Sequence, residues 1–585
     1  LVGISPYYPN LKQNRIRFNQ SAVYSLNGIF APSAKVKVKV LAFINKDQNS
    51  FFKNSFESTS IGDTRFINTE DHQLKTKQLT GFGKLDITNN ISKDQTLVFT
   101  GKFNRSNENS HNSLTFNDSV TNELLENNNT LSDQKLIYTH RLNPQKAFLF
   151  SGRYIYEQSP QHYSIDRFFY QDLFPTASQA DFAGQFSENR MHFGGFEANL
   201  MDKKKNGNLF AVKFGNQYRR DQINSDFQLQ AENIVLEELS GYNNRFVYAV
   251  NDLYLGTSYT LQLKNLKLNQ LMDLHQLFNQ MEKAGKSSNQ HPFYINPRFG
   301  ITWTINEKNR INTMYSYNHT NAAAPEVLDQ YIQTGFRAFS KGTGNFNQLN
   351  SSSFTFIYTL GNWGEKFFAN AFLIYNRNHD YFSNNTLLSK NYSRSQKMLI
   401  KNKEDLNFSS NIDRYFKFMA TNIKIVFGLY ASEYQNMVNS ALFRKVKMKN
   451  YNLGAELRSG FSGLFNYHLG SKWLFNEIIT LSRSHFTDNF SFMDLNFVFN
   501  SKFDVKVQTE RYFFGGLDKA NNCYYFVDFT ARYTPKQNKF NLTLSGYNLL
   551  NTKTFRNYSI DDISISKTEY RLLPRHMLLS LEFRF

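Results

Sequence analysis

The sequence predicts an all-β fold, a transmembrane antiparallel up-and-down barrel of about 22 strands. Three observations carry it: strand-period alternation from end to end, a regular succession of short and long connections, and a polar composition rich in rings. Of 585 residues, 40% are apolar and mean hydropathy is -0.53, yet 58 Phe and 33 Tyr bring the aromatic share to 16%. Disordered chains are poor in aromatics, so disorder is excluded. No run of 18 apolar residues occurs, so no helix is available to span a bilayer.

The alternation is clearest at "AKVKVKVLAFI". Val36, Val38, Val40, Ala42 and Ile44 fall on one side of a strand and Lys35, Lys37 and Lys39 on the other, because successive strand side chains point oppositely. "TLVFTGKFN" then sets Leu97, Phe99, Gly101 and Phe103 against Thr96, Thr100, Lys102 and Asn104. "PRFGITWTI" opposes Phe299, Ile301, Trp303 and Ile305 to Arg298, Gly300, Thr302 and Thr304. "NIKIVFGLY" places Ile423, Ile425, Phe427 and Leu429 together. The final "HMLLSLEFRF" places Met577, Leu579, Leu581, Phe583 and Phe585 against His576, Ser580, Glu582 and Arg584. Counting such segments gives about 22 to 24 strands, each about one bilayer crossing long. Leu271, Leu274, Phe278 and Met281 also suit a short amphipathic helix, and the expectation there is a strand near Leu266 to Leu274 followed by a loop.

Connections follow the same rhythm. Short polar turns ("TNNISKDQ", "LNPQK", "MDKKKNGN", "INEKN", "TPKQNK") alternate with long connectors expected at Asn45 to Leu79, Arg105 to Asp133, Glu157 to Arg190, Arg219 to Asn244 and Asn318 to Asn350. That asymmetry matches short periplasmic turns and long extracellular loops. In hydrocarbon every backbone polar group must be paired internally, which a sheet achieves by closing on itself. The valines are therefore expected to face lipid and the lysines a wet lumen.

Cys523 is the single cysteine, which rules out a disulfide framework within the chain. The formal charge of +19 is spread along the chain instead of gathering on one motif, which fits anionic lipid headgroups and argues against nucleic acid. No catalytic constellation is present. "GFSGL" at Gly460 only approximates a nucleophile elbow, and "GTGNFN" at Gly342 lacks the third glycine of a dinucleotide fingerprint. His72, His111, His291 and His319 read as isolated loop residues, so neither a metal nor a cofactor is expected.

Three segments together resemble the TonB-dependent receptors of Gram-negative outer membranes. "PRFGITWTINEKNRINTMYSYNHTNAAAPEVLDQY" with "RAFSKGTGNFNQLNSSSFTFIYTLGN" is similar to the family's mid-barrel signature. "GYNLLNTKTF" resembles its penultimate-strand motif at Asn548, Leu549, Leu550 and Asn551, and "LPRHMLLSLEFRF" resembles its closing strand. Within the family the chain looks closest to receptors with a carboxypeptidase-regulatory-like domain. The resemblance implies that residues 1–585 are the barrel domain, with signal, regulatory-like and plug domains expected ahead of it. "LVGIS" then reads as the tail of a first strand.

What the resemblance implies is energised uptake of a ligand too large for porins, without catalysis, at the outer membrane. The alternative is a receptor-derived barrel without a plug, serving as a scaffold subunit of an assembly or secretion complex. Partners implied are outer-membrane lipid and lipopolysaccharide, the inner-membrane TonB complex, and a surface lipoprotein or other outer-membrane subunits. Ligand contacts are expected in "QHYSIDRFFYQDLFP", where His162, Tyr163, Arg167, Phe168 and Tyr170 offer stacking faces and a fixed charge. Met577, Leu579, Leu581, Phe583 and Phe585 resemble the signal by which assembly machinery captures barrel proteins.

Overall fold

The computed structural model describes residues 2–583 except 5, 63, 168, 178, 233, 237–238, 363–365 and 536–539. Its strands form one sheet of twenty-nine. Six short ones belong to loops: Ile234–Val235, Lys286–Gln290, Ile332–Gly335, Ala338–Lys341, Thr554–Ile560 and Ser564–Arg571. The remaining twenty-three pair antiparallel in chain order as a wall. The first flank is β1 (Phe18–Ser33), β2 (Val36–Ile61), β3 (Thr64–Asn90), β4 (Gln95–Phe116), β5 (Ser119–Arg141), β6 (Lys146–Ile165), β7 (Phe182–Lys203) and β8 (Leu209–Ala231).

The two faces of β2 meet the two environments expected of them. Asn49 and Phe51, in phase with Lys37 and Lys39, touch Tyr8 of a segment that runs inside the wall, so the lysine face is the lumenal one. Along that face charges are paired sideways. Lys39 stands opposite Asp86, Asp86 takes Lys84 at 2.7 Å and the Thr100 hydroxyl at 2.8 Å, and Asp133 takes Arg153 at 2.8 Å and Lys102 at 3.6 Å. The opposite face stays apolar and exposed: Phe299, Ile301 and Trp303 are 52, 46 and 47% accessible. In water such a surface would be unfavourable by about 25 cal/mol per Å². A lipid-facing wall removes that penalty.

Several expected boundaries move. β2 to β5 are 26, 27, 22 and 23 residues long, so the connectors expected at Asn45 to Leu79 and Arg105 to Asp133 are paired strand almost throughout. A tilted strand crosses the hydrocarbon in about 9–11 residues, so these hairpins stand well above it. Leu266–Lys283 is one continuous strand, neither helix nor loop: Met281 packs into a buried cluster, Leu277 is buried on the same face, and Phe278 is exposed on the other. Gly460–Leu464 is a turn between strands.

The wall has a seam. Lys53–Thr59, the outer half of β2, pairs with Tyr570–Ser564 of the Thr554–Arg571 hairpin. Its inner half pairs with β1. The last strand, His576–Phe583, pairs with Phe540–Tyr547, and among the described residues no ladder joins it to β1. Val2 to Ile4 form no strand, which corrects the expectation for "LVGIS": that segment lies in the lumen.

Candidate functional site

The outer mouth is roofed by the connector between Asn309–Asn321 and Gln348–Leu360. It holds a one-turn helix, Ala324–Val327, and the hairpin Ile332–Gly335/Ala338–Lys341. Gly342 permits the tight return, since a Cβ there would stand 2.4 Å from the Glu326 carbonyl oxygen. The hairpin tip crosses to strands half the ring away. Arg337 donates to Glu57 of β2 at 2.7 Å and to Glu70 of β3 at 3.4 Å, and its guanidinium lies over Phe116. We call this connector the lid.

Aromatic packing holds the lid to its neighbours. Phe339 is buried among Tyr170, Phe174, Phe227 and Tyr242, with ring centroids 5.3 to 6.3 Å away. Gln333 and Gln185 exchange two hydrogen bonds: Gln185 Nε2 donates to the Gln333 carbonyl at 3.0 Å, and the Gln333 N–H donates to Gln185 Oε1 at 2.7 Å. The Tyr170 hydroxyl donates to the Phe336 carbonyl and accepts from Gln333 Nε2 at 2.9 Å. Ala338–Lys341 also adds as a short parallel strand to Ser393–Gln396.

Behind the Arg337 latch runs a polar relay above the membrane. Glu70 meets His72 Nε2 at 3.0 Å, His72 Nδ1 meets Asn112 Nδ2 at 3.0 Å, and Glu123 accepts from Asn112 at 2.5 Å and from the Tyr163 hydroxyl at 2.7 Å. Burial works against the Glu70 carboxylate, but the His72 hydrogen bond and the charges of Arg337, His72 and Lys53 outweigh it and hold its pKa down to about 2. Glu123 goes the other way: burial pushes its pKa up, against the hydrogen bonds from Tyr163 and Asn112. His72 is therefore a bound strand residue, where an isolated loop histidine was expected.

Beneath the lid the first residues cross the lumen. Val2 packs in the lid core, and Gln161 of β6 meets its backbone like a neighbouring strand, both bonds at 2.8 Å. Tyr8 sits against Phe51, and Ile16 joins Phe51, Leu74, Phe526, Phe555 and Tyr570 in a second aromatic cluster. Arg15 is buried between Glu510 and Asp528, the latter reached at 2.5 Å, with its guanidinium 4.3 Å from the Phe526 ring centre. Lys12 adds contacts of 2.8 and 3.3 Å to the same two carboxylates, so two cations balance two anions. Asp528 also accepts the Asn548 N–H at 2.9 Å. Asn548 turns at φ 50° and binds the carbonyls of Thr552 and Leu573, so the "NLLN" stretch is a stapled turn beside the seam.

The predicted contact residues separate. Tyr163 and Tyr170 are wholly buried in the relay and the lid core. His162 is exposed on the other face of β6, Arg167 is exposed over Phe169, and Phe168 lies outside the described residues. Glu57, Glu70, Arg337, Arg15, Glu510 and Asp528 were not singled out by sequence. Their pairings join residues hundreds of positions apart, and only the unusual acids on inward strand positions, Glu510 and Asp528, gave a signal. Among the described residues no three His, Cys, Asp or Glu side chains are grouped to hold a metal ion.

No protein-family model and no curated protein matches the sequence. Solved structures do match in fold. The siderophore receptor PiuA from Acinetobacter baumannii is 10% identical with a TM-score of 0.50, over 96% of this chain and 82% of that one. The ferric enterobactin receptor PfeA from Pseudomonas aeruginosa, in one mutant form, gives 10% and 0.50 over 97% and 79%. A second mutant of that receptor, in complex with enterobactin, gives 9% and 0.50 over 97% and 80%. All are receptors and none is an enzyme. The chain shares the fold of these receptors.

Proposed function

We propose that the chain is the barrel of an energised outer-membrane receptor, which admits a ligand past the lid and passes it down the polar lumen. One observation carries this: a single connector roofs the mouth and is latched by Arg337 to the far wall, over a lumen threaded by residues 2–17. A gated mouth above a movable internal segment suits stepwise import. A static scaffold needs neither, and the scaffold alternative gains no support from a threaded lumen.

In this scheme the barrel sits in lipid and lipopolysaccharide, and pulling by the TonB complex through a plug ahead of Leu1 displaces the lumenal segment. His162 and Arg167 are the exposed candidates for ligand contact, Phe168 remains a candidate from the sequence, and Tyr163 and Tyr170 act through the lid they hold. Met577, Leu579, Leu581 and Phe583 on the last strand serve as the assembly signal together with Phe585, which lies outside the described residues. A surface lipoprotein over the loops fits the same scheme.

The neighbours' names supply the probe, ferric enterobactin. Cells with this protein as their only receptor are assayed for accumulation of the radiolabelled iron complex with and without a protonophore. Accumulation that the protonophore stops, and that Arg337→Ala alters at least several-fold, is expected. Accumulation indifferent to both would make the barrel a passive pore and end this reading, and a lack of surface binding would remove ferric catecholates as the ligand class.

A further inference from the structure

Two strands of this wall have a claim on the same edge. β1 places Ser21–Gly28 opposite Asp47–Val40 of β2. The outer hairpin places Tyr570 opposite Lys53 and Ser564 opposite Thr59 on that same edge, further up. The chain then runs from Arg571 through four residues directly into the last strand, His576–Phe583. Carried on without a shift, the outer register sets Met577 opposite Lys46, Leu578 opposite Asn45 and Phe583 opposite Val40, the stretch β1 now holds.

The faces agree as well as the positions. Met577, Leu579, Leu581 and Phe583 point outward with Leu542 and Leu544 of the neighbouring strand, and their extrapolated partners on β2 include Ile44, Ala42 and Val40 of its outward face. Leu578, Ser580 and Glu582 point inward, as do Asn45, Phe43 and Leu41. A one-residue slip would have opposed the faces.

As it stands the seam cannot close directly with an antiparallel ladder. With an odd number of wall strands, β1 and the last strand both run toward the short-turn end, and both leave an edge exposed: Tyr24 and Leu26 are 74 and 66% accessible, Leu579 and Leu581 65% each. Unpaired edges are costly in hydrocarbon. Arg15 stands at the fork, where its carbonyl takes the Leu573 N–H at 2.7 Å just where the last strand leaves β2.

We infer that β1 and His576–Phe583 are alternative occupants of one edge of β2. When β1 leaves the wall, the last strand zips onto Asp47–Val40 and closes a barrel of twenty-two strands, an even number. Because β1 continues residues 2–17, movement of the lumenal segment and sealing of the wall become one event. The inference concerns the wall alone and stands whether or not the barrel imports a ligand.

The test uses paired cysteines in the full chain carrying Cys523→Ser, oxidised in native outer membranes. Asn45→Cys is combined either with Val23→Cys, its partner here, or with Leu578→Cys, its partner after exchange. Opposed strand positions lie within disulfide reach. Both bridges are expected, and Arg15→Ala should raise the Asn45–Leu578 bridge several-fold while lowering the Asn45–Val23 bridge. Should Arg15→Ala fail to assemble, as judged by heat-modifiable migration, Leu26→Pro within β1 serves the same purpose, since proline removes a strand N–H. No Asn45–Leu578 bridge in any assembled variant would overturn the exchange. So would capture of Leu578→Cys by another polypeptide, which would mean that an outside strand fills the seam.

Discussion

Arg337 and Arg15 make similar contacts with different consequences, because one is reached by water and the other is not. Arg337 is 16% and Glu57 35% accessible at the side chain, so the latch is a partly screened pair. Arg337→Ala should weaken lid closure by about 1 kcal/mol, read as faster hydrogen exchange over residues 322–347 with the wall strands unchanged. Glu70 adds a pH term. Its pKa is lowered to about 2 from an unfolded value of 4.5, so its contribution is complete above 4.5 and is lost as pH falls toward 2. Lid exchange should therefore accelerate between pH 4.5 and 2, and Glu70→Gln should flatten that profile. Arg15→Ala leaves two buried carboxylates short of a partner, at a cost of about 3–5 kcal/mol. Proteolysis within residues 2–17 should reveal it, and adding Glu510→Gln and Asp528→Asn should restore much of the protection. The pairings themselves were not legible in the sequence: Glu510 and Asp528 stand out as acids on strand positions, but Arg15, Glu57, Glu70 and Arg337 read as ordinary charges in polar stretches. Contact is decided by which strands the sheet brings face to face.

At the scale of elements, alternation identified strands well wherever one face meets lipid, as at Val36–Ile44 and Phe299–Trp303. It failed at Asn45 to Leu79 for a physical reason. Above the hydrocarbon both faces of a hairpin are wet, so no side needs to be apolar and the residues read like loop, although the backbone ladder continues. The same loss of contrast misled at Tyr170, expected as free stacking surface, which instead packs against Phe339 of the lid. The lid's shape rests on Gly342. Gly342→Ala should push a methyl into the Glu326 carbonyl and loosen the hairpin. Exchange across 322–347 is expected to rise as much as in Arg337→Ala, with Thr343 losing protection first, because its N–H donates to that carbonyl at 2.9 Å.

For the whole molecule, the sequence predicts about 22 strands and the described residues form a wall of twenty-three, in which β1 alternates in step with β2. Tyr24, Leu26 and Phe30 face outward, and Ser21, Ser25 and Asn27 inward, so β1 is written as wall strand. Folded protein should accordingly migrate as a heat-modifiable species on unboiled gels. Leu26→Pro should keep that property, whereas a proline at Leu453 in the middle of the wall should abolish it.

The low strands that flank the lid have a consequence for its tilt. β2 to β8 run 20 to 27 residues, whereas Phe293–Thr304, Asn309–Asn321 and Gln348–Leu360 run 12, 13 and 13. At about 3.3 Å per residue β2 to β8 overtop these three strands by several tens of ångströms of contour, and Phe367–Leu388 and Ser393–Phe416 beyond them rise again to 22 and 24 residues. The lid springs from the low rim and fastens to the tall wall, so it lies as a slope. Arg337→Ala should free the lid edge that meets β2 and β3, while the packing around Phe339 and the pairing with Ser393–Gln396 keep the rest in place. On the proposed reading of the mouth as an entrance, the slope gives it a compass bearing, from the low strands toward the edge where Arg337 meets β2 and β3.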